Sequence, residues 1–111
     1  MEEELLENIK KILNSADLVY DSNDYTSATI LYFKAAFTAI DYIIYSIKGK
    51  TPKDHTERFR ITEKDFLDLY EFLDKTFSIY RDTYSISIDK ITCDKVKKDV
   101  EKIIQKYKIP K

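Results

Sequence analysis

The sequence predicts an all-α domain, an antiparallel four-helix up-and-down bundle with a short extra turn or loop between its second and third helices, formed by residues 1–111 as a single unit. Three observations carry that expectation. Gly49, Pro52 and Pro110 are the only strong breakers in the chain, far fewer than the tight turns of a sandwich or barrel need. Apolar residues recur at three and four spacing in four segments. Capping and stop residues flank those segments.

In the first segment, Leu5, Leu6, Ile9, Ile12, Leu13, Ala16, Val19 and Tyr20 follow the helical period, and Glu2, Glu3 and Glu4 sit where the helix dipole favours acids. The reading is an amphipathic helix over about residues 3–21. Ser22, Asn23 and Asp24 then supply N-cap candidates for a second helix that runs to Lys48, where Gly49 stops it and Pro52 prevents its resumption. This helix has two apolar stripes, one of Ile30, Phe33, Phe37, Ile40, Ile44 and Ile47, the other of Ala28, Tyr32, Ala35, Ala39 and Tyr42 or Ile43. Apolar over most of its circumference, it is expected to be the central helix of the bundle, with the alanines allowing close approach.

The stretch "GKTPKDHTERFRIT" reads as a connection ending at Thr62, which with Asp65 resembles a capping box for the third helix. Phe66, Leu69 or Tyr70, Leu73, Phe77, Tyr80 and Tyr84 line one face of that helix, which is expected to end near Asp82 or Tyr84. "SISIDKIT" reads as an ordered connection that tucks Ile86, Ile88 and Ile91 under the bundle. Thr92 is the expected cap of the last helix, whose stripe is Cys93, Val96, Val100, Ile103 and Tyr107.

Composition excludes several classes of function. With 43% hydrophobic and 35% charged residues the chain has an ordinary globular balance. Its longest apolar run, "AAFTAIDYIIY", is broken by Thr38 and Asp41, so no membrane-spanning segment is expected. An acidic, immediately amphipathic N-terminus is wrong for a secretory signal, and a cytoplasmic location follows as an expectation. A single cysteine, Cys93, and a single histidine, His55, build neither an internal disulfide nor a zinc site, so no metal and no cofactor is expected. The net charge of -1 gives no global attraction to nucleic acid. A bias toward Lys, Glu and Ile, with one Gln and one Gly, resembles the composition of thermophile proteins.

The ordered set "DYTSATILYFKAAFTAIDYII", "GKTPKDHTERFRI" and "YRDTY" resembles the HEPN superfamily, helical domains found in many prokaryotic toxins and partners of nucleotidyltransferases. The resemblance covers about residues 20–107 and rests on a Tyr- and Ala-rich central helix, a glycine stop, a Pro- and His-containing loop, and an Arg with a Tyr late in the third helix. It implies a bundle that commonly dimerises. In active relatives it also implies a metal-independent RNA-cleaving site, built from an Arg and a His with four to six residues between them. From Arg81 that spacing lands on Ile86, Ser87 and Ile88, and the histidine is absent.

The departure matters because metal-free RNA cleavage through the 2'-hydroxyl needs a proton acceptor and a donor near neutral pH, work that imidazole suits and isoleucine cannot do. Arg81 remains able to hold a phosphate, or it serves the C-terminal end of its helix, where the dipole favours a cation. His55 lies in "KDHTERFR" beside Arg58 and Arg60. Packed against the end of the third helix, it would form with Arg81 and Tyr84 a polar cluster for a phosphate or nucleotide; otherwise it is a cap or a hydrogen-bonded surface residue. Tyr84 equally fits core packing beside Tyr80 and Phe77.

Lys95, Lys98, Lys102 and Lys106 form a stripe on the last helix, but interleaved Asp94, Asp99 and Glu101 make it a solvated face rather than an RNA track. Asp65, Asp68, Glu71, Asp74 and Asp82 read as the exposed side of the third helix. Tyr25, Tyr45 and Tyr70 are candidates for a dimer interface, where tyrosine is enriched. The leading expectation is a homodimeric, non-catalytic or degenerate HEPN-like protein, associated with RNA or nucleotide and partnering a minimal nucleotidyltransferase of toxin-antitoxin type. The alternatives are a metal-independent ribonuclease using Arg81 and His55, or a structural helical interaction module.

Overall fold

Five helices form from this sequence in the computed structural model, which describes residues 1–110: α1 (Glu2–Asp21), α2 (Tyr25–Lys48), α3 (His55–Asp65), α4 (Leu67–Asp82) and α5 (Lys90–Lys106). The all-helical class agrees with the sequence. The number of pieces does not, because an eleven-residue helix, α3, stands where a turn or loop was expected.

The third and four spacing of α1 turns Ile9, Leu13 and Ala16 fully inward, with Leu6, Ile12, Val19 and Tyr20 half-covered beside them. At its end the Ser22 hydroxyl donates to the Val19 carbonyl, and Asn23 takes a left-handed φ of 68° to reverse the chain. Asp24 then caps α2 by accepting from the Ser27 amide at 3.1 Å. At the far end Gly49 has φ 78° and donates its amide to the Tyr45 carbonyl, the C-cap geometry that an L side chain adopts only under strain.

Helix α2 packs against α1, α4 and α5. Ala28, Ala35, Ala36 and Ala39 are wholly buried, which lets neighbouring backbones approach, while Tyr32, Phe33, Ile40 and Ile44 fill the interior. Two stripe residues fall outside this cover, since Ile30 and Ile47 are exposed. By length and composition alone α2 is apolar enough to cross a membrane, contrary to the reading from its Thr38 and Asp41 interruptions, but half of its most apolar window is buried against the other helices. Its apolarity is that of a core helix.

The caps of the two later regions differ from those expected. Asp54, not Thr62, starts the third helix: its carboxylate accepts from the Glu57 amide at 2.9 Å, and Glu57 reaches back to accept from the Lys53 amide at 3.2 Å. Thr62 is instead a buried interior residue of α3 whose hydroxyl donates to the Arg58 and Phe59 carbonyls. The backbone leaves the helical region at Phe66, with φ -141° and ψ 68°, which ends α3 by donating its amide to the Thr62 carbonyl and begins α4 by accepting from the Tyr70 amide, so α3 and α4 are separate helices rather than one.

Asp89, three residues before Thr92, caps α5 by accepting the Thr92 amide at 2.8 Å. Of the three connection isoleucines only Ile88 is buried, held by donation of its amide to the Thr26 hydroxyl at 2.8 Å; Ile86 and Ile91 are exposed. Cys93, Val96, Val100 and Ile103 line the inner face of α5 as their spacing requires, joined by Ile104, while Tyr107 is only partly buried beside them. The beginning of α4 meets the end of α5 through Asp68, which accepts from Tyr107 Oη at 2.8 Å and Lys106 Nζ at 2.8 Å.

Candidate functional site

One acid interrupts the apolar length of α2. Asp41 is the sole carboxylate of that helix, half-buried, and a charge in such a place needs a partner. The partner is Arg58 of α3: its Nε donates to Asp41 Oδ1 at 2.8 Å and its Nη2 donates to Oδ2 at 2.9 Å. This is the two-pronged geometry in which arginine grips a carboxylate best. The two side chains are only 10% and 18% exposed, so the pair is nearly dry. The guanidinium also lies 5.1 Å from the centre of the Phe37 ring, a cation–π contact that shields it further.

The third prong of Arg58 meets His55. Nη1 lies 2.6 Å from His55 Nδ1. The spacing is set by α3 itself, since residues three apart share one face of a helix. His55 is the first residue of α3 rather than part of a loop, placed there by the Asp54 cap. Its imidazole sits edge-on to Phe37 at 4.9 Å and Phe77 at 6.0 Å, and tilted against Tyr80 at 5.6 Å, between ring centres. Burial first, and then the Arg58 cation, hold its pKa below the ordinary histidine value, against the weaker pull of Asp41 and Asp54.

This geometry decides the tautomer. A guanidinium has donors only, so neutral His55 accepts at Nδ1 and carries its proton on Nε2. An imidazole held this way has no lone pair free to take a proton from a substrate. Arg58 is equally committed, with Nε and Nη2 on Asp41 and Nη1 on His55. A ribonuclease that uses His55 as base would have to break this set before it could start.

The remaining candidates lie along α4. Tyr80 extends the aromatic packing, with ring centres 5.5 Å from Phe33 and 5.1 Å from Phe37. Its hydroxyl is 3.0 Å from that of Tyr84, and this bond, with burial, raises the Tyr80 pKa. Tyr84 itself is 77% exposed, outside the core that its spacing also allowed. Arg81 is exposed in the last turn of α4, and its side chain has no hydrogen bond or ion pair among the described residues. Arg60 is exposed as well.

The expected grouping of His55, Arg81 and Tyr84 is therefore present only as a chain of contacts from Tyr84 through Tyr80 to His55, and Arg81 takes no part in it. Asp41, Phe37 and Tyr80 were missed by sequence reasoning as members of this cluster. A signal for Asp41 existed, since a lone acid inside an apolar helix demands a cation and the chain has only three arginines. Nothing in the linear spacing marks Phe37 and Tyr80 as neighbours of His55.

Elsewhere, two adjoining grooves of about 290 and 320 Å³ run between α4 and α5 and share Lys75 and Asp99 in their walls. None of Arg81, His55, Arg58 and Tyr84 lines either one. Among the described residues no three His, Cys, Asp or Glu side chains gather closely enough to hold a metal ion. Cys93 is wholly buried, and burial raises its thiol pKa, which leaves it an inert core residue. The chain matches no protein-family model, no curated protein and no solved structure.

Proposed function

We propose that this chain is a non-catalytic helical protein that acts by association. One observation carries the proposal: the only histidine is engaged at Nδ1 by Arg58, and Arg58 is engaged twice by Asp41, so the one imidazole has no free lone pair for acid–base work and the arginine beside it is already committed. In its narrower form the reading is HEPN-like. It envisages a cytoplasmic homodimer that partners a minimal nucleotidyltransferase in a toxin-antitoxin type pair and associates with RNA or nucleotide. That narrower form rests on the resemblance of three ordered segments and on the missing histidine after Arg81. It also takes α1, α2, α4 and α5 as an antiparallel four-helix frame with α3 as an insertion, a reading supported by the three-residue link between α1 and α2 and by the meeting of the α4 start with the α5 end.

Among the exposed residues available for association are Arg81 and Tyr84 at the end of α4, followed by Ile86. Arg81 supplies an exposed cation for a phosphate or a carboxylate, and Tyr84 an aromatic face with a polar tip. The competing reading is a metal-independent ribonuclease using Arg81 and His55. A labelled single-stranded RNA incubated in EDTA with the native protein, Arg81→Ala and His55→Ala separates the two. All three preparations are expected to be inactive, and native turnover that is lost in either variant would overturn the non-catalytic reading. Light scattering is expected to give twice the chain mass, and purification together with the products of neighbouring genes is expected to retain a nucleotidyltransferase. A monomer that retains nothing would remove the narrower form.

A further inference from the structure

Helix α3 is attached to the rest of the protein differently from the other four. Its fully buried residues are Arg58 and Thr62, both polar, while Phe59 and Ile61 are only partly covered. Toward α2 it is held by the Asp41–Arg58 pair, by the Phe37–His55 ring contact and by Lys48–Asp65 at 2.6 Å, the last about one-third exposed. Its apolar hold is on α4, where Phe59 packs edge-on against Phe77 at 5.2 Å and Tyr70 at 6.3 Å, so the attachment of α3 to α2 in particular has a small apolar contribution to resist opening.

His55 is wedged inside that fastening. The groups facing it are Asp41 and Phe37 from α2, Asp54 from the preceding turn, Arg58 from α3 itself, and Phe77 and Tyr80 from α4. Three of these are aromatic and one is a cation. At Nδ1, 2.6 Å from Arg58 Nη1, there is room for one proton, and the guanidinium supplies it. A proton added to Nδ1 removes the acceptor and sets two cations against each other; Asp41, which already has both oxygens on Arg58, and Asp54, which already caps the Glu57 amide, offer only partial relief.

We propose that His55 and Arg58 form a proton-sensitive latch: protonation of His55 loosens α3 from α2 and uncovers the aromatic surface of Phe37, Phe77 and Tyr80. The direction follows from linkage. Because the folded imidazole resists protonation more than the unfolded one, its contribution is complete above the ordinary histidine value of about 6.5 and is lost as the pH falls below it. The surface uncovered is continuous with Tyr84 through the Tyr80–Tyr84 contact, so opening enlarges the exposed aromatic end of α4.

Amide hydrogen exchange, reported as protection factors so that the intrinsic pH dependence is removed, tests this at about pH 7.5 and about pH 5.5. Protection in α3 is expected to fall severalfold on acidification while that of α2 is unchanged. In His55→Gln, whose side-chain oxygen still accepts from Arg58 without titrating, the fall is expected to vanish. Equal protection of native α3 at both pH values, or the same fall in His55→Gln, would overturn the latch. Should the variant not fold, nitrogen NMR of native His55 decides: an Nε2–H tautomer that protonates below the ordinary range supports the latch, and an Nδ1–H tautomer or an unshifted titration overturns it.

Discussion

At the scale of single residues the protein turns on Asp41, whose two oxygens fix an arginine and, through it, a histidine tautomer. Removing one partner of a nearly dry ion pair costs more than the pair contributes, because the other charge stays behind without compensation. Asp41→Ala is expected to lower stability by about 2 to 3 kcal/mol in urea unfolding. Replacing both Asp41 and Arg58 by apolar residues of similar volume is expected to cost less than Asp41→Ala alone, since no orphaned charge remains. Arg81→Ala, at an exposed side chain without a partner among the described residues, is expected to change stability by no more than about 0.5 kcal/mol. An effect of that substitution on association without an effect on unfolding would place Arg81 in an interface.

At the scale of elements the helix ends carry the specificity. Gly49→Ala is expected to cost about 1 kcal/mol because of its φ of 78° alone, as the space around a new Cβ is empty. Among the acids, the pKa of Asp24 is held down by hydrogen bonds from the Ser27 side chain and amide, and that of Asp89 by hydrogen bonds from the Thr92 amide and side chain. For Asp68 burial acts upward, but hydrogen bonds from Lys106 and Tyr107 outweigh it and the net shift is downward. Groups with lowered carboxyl pKa values stabilise the fold above the unfolded value of about 3.9 and lose that contribution as the pH falls through the folded one. Thermal unfolding is therefore expected to move to lower temperature on acidification below about pH 4, and Asp89→Asn, which still accepts the Thr92 amide but does not titrate, is expected to weaken that dependence.

At the scale of the whole molecule, stability is uneven. Helix α2 has a wall of residues with no exposure, including Ala28, Ala35, Ala36, Ala39, Ile40 and Ile44, whereas α3 has only Arg58 and Thr62 buried. Ile40→Ala is expected to cost about 3 kcal/mol and to lower the unfolding midpoint of the entire chain, because the cavity lies among helices that share one core. In native-state hydrogen exchange α2 is expected to be the last helix to open and α3 the first, through a local event that leaves the others protected. Simultaneous opening of α3 and α2 at neutral pH would contradict that order.

The sequence by itself determined the helical class, the ends of α1 and α2, and the inner stripe of α5. These depend on local chemistry: a period of three and four, an Asp cap, a glycine able to take positive φ. It also contained the cap of α3 in Asp54 and Glu57, but Thr62 and Asp65 offered the same pattern eight residues later, and local spacing does not choose between them. Tertiary packing chose, because the earlier start carries Arg58 to Asp41 and buries Thr62. The cluster around His55 was legible only in part. Its polar members could be matched by charge, yet the meeting of Phe37, His55 and Tyr80 joins three helices across long stretches of chain. Contacts of that kind leave no period in the sequence, and neither does the Asp41–Arg58 pair that holds the arginine where it fixes which nitrogen of His55 carries the proton.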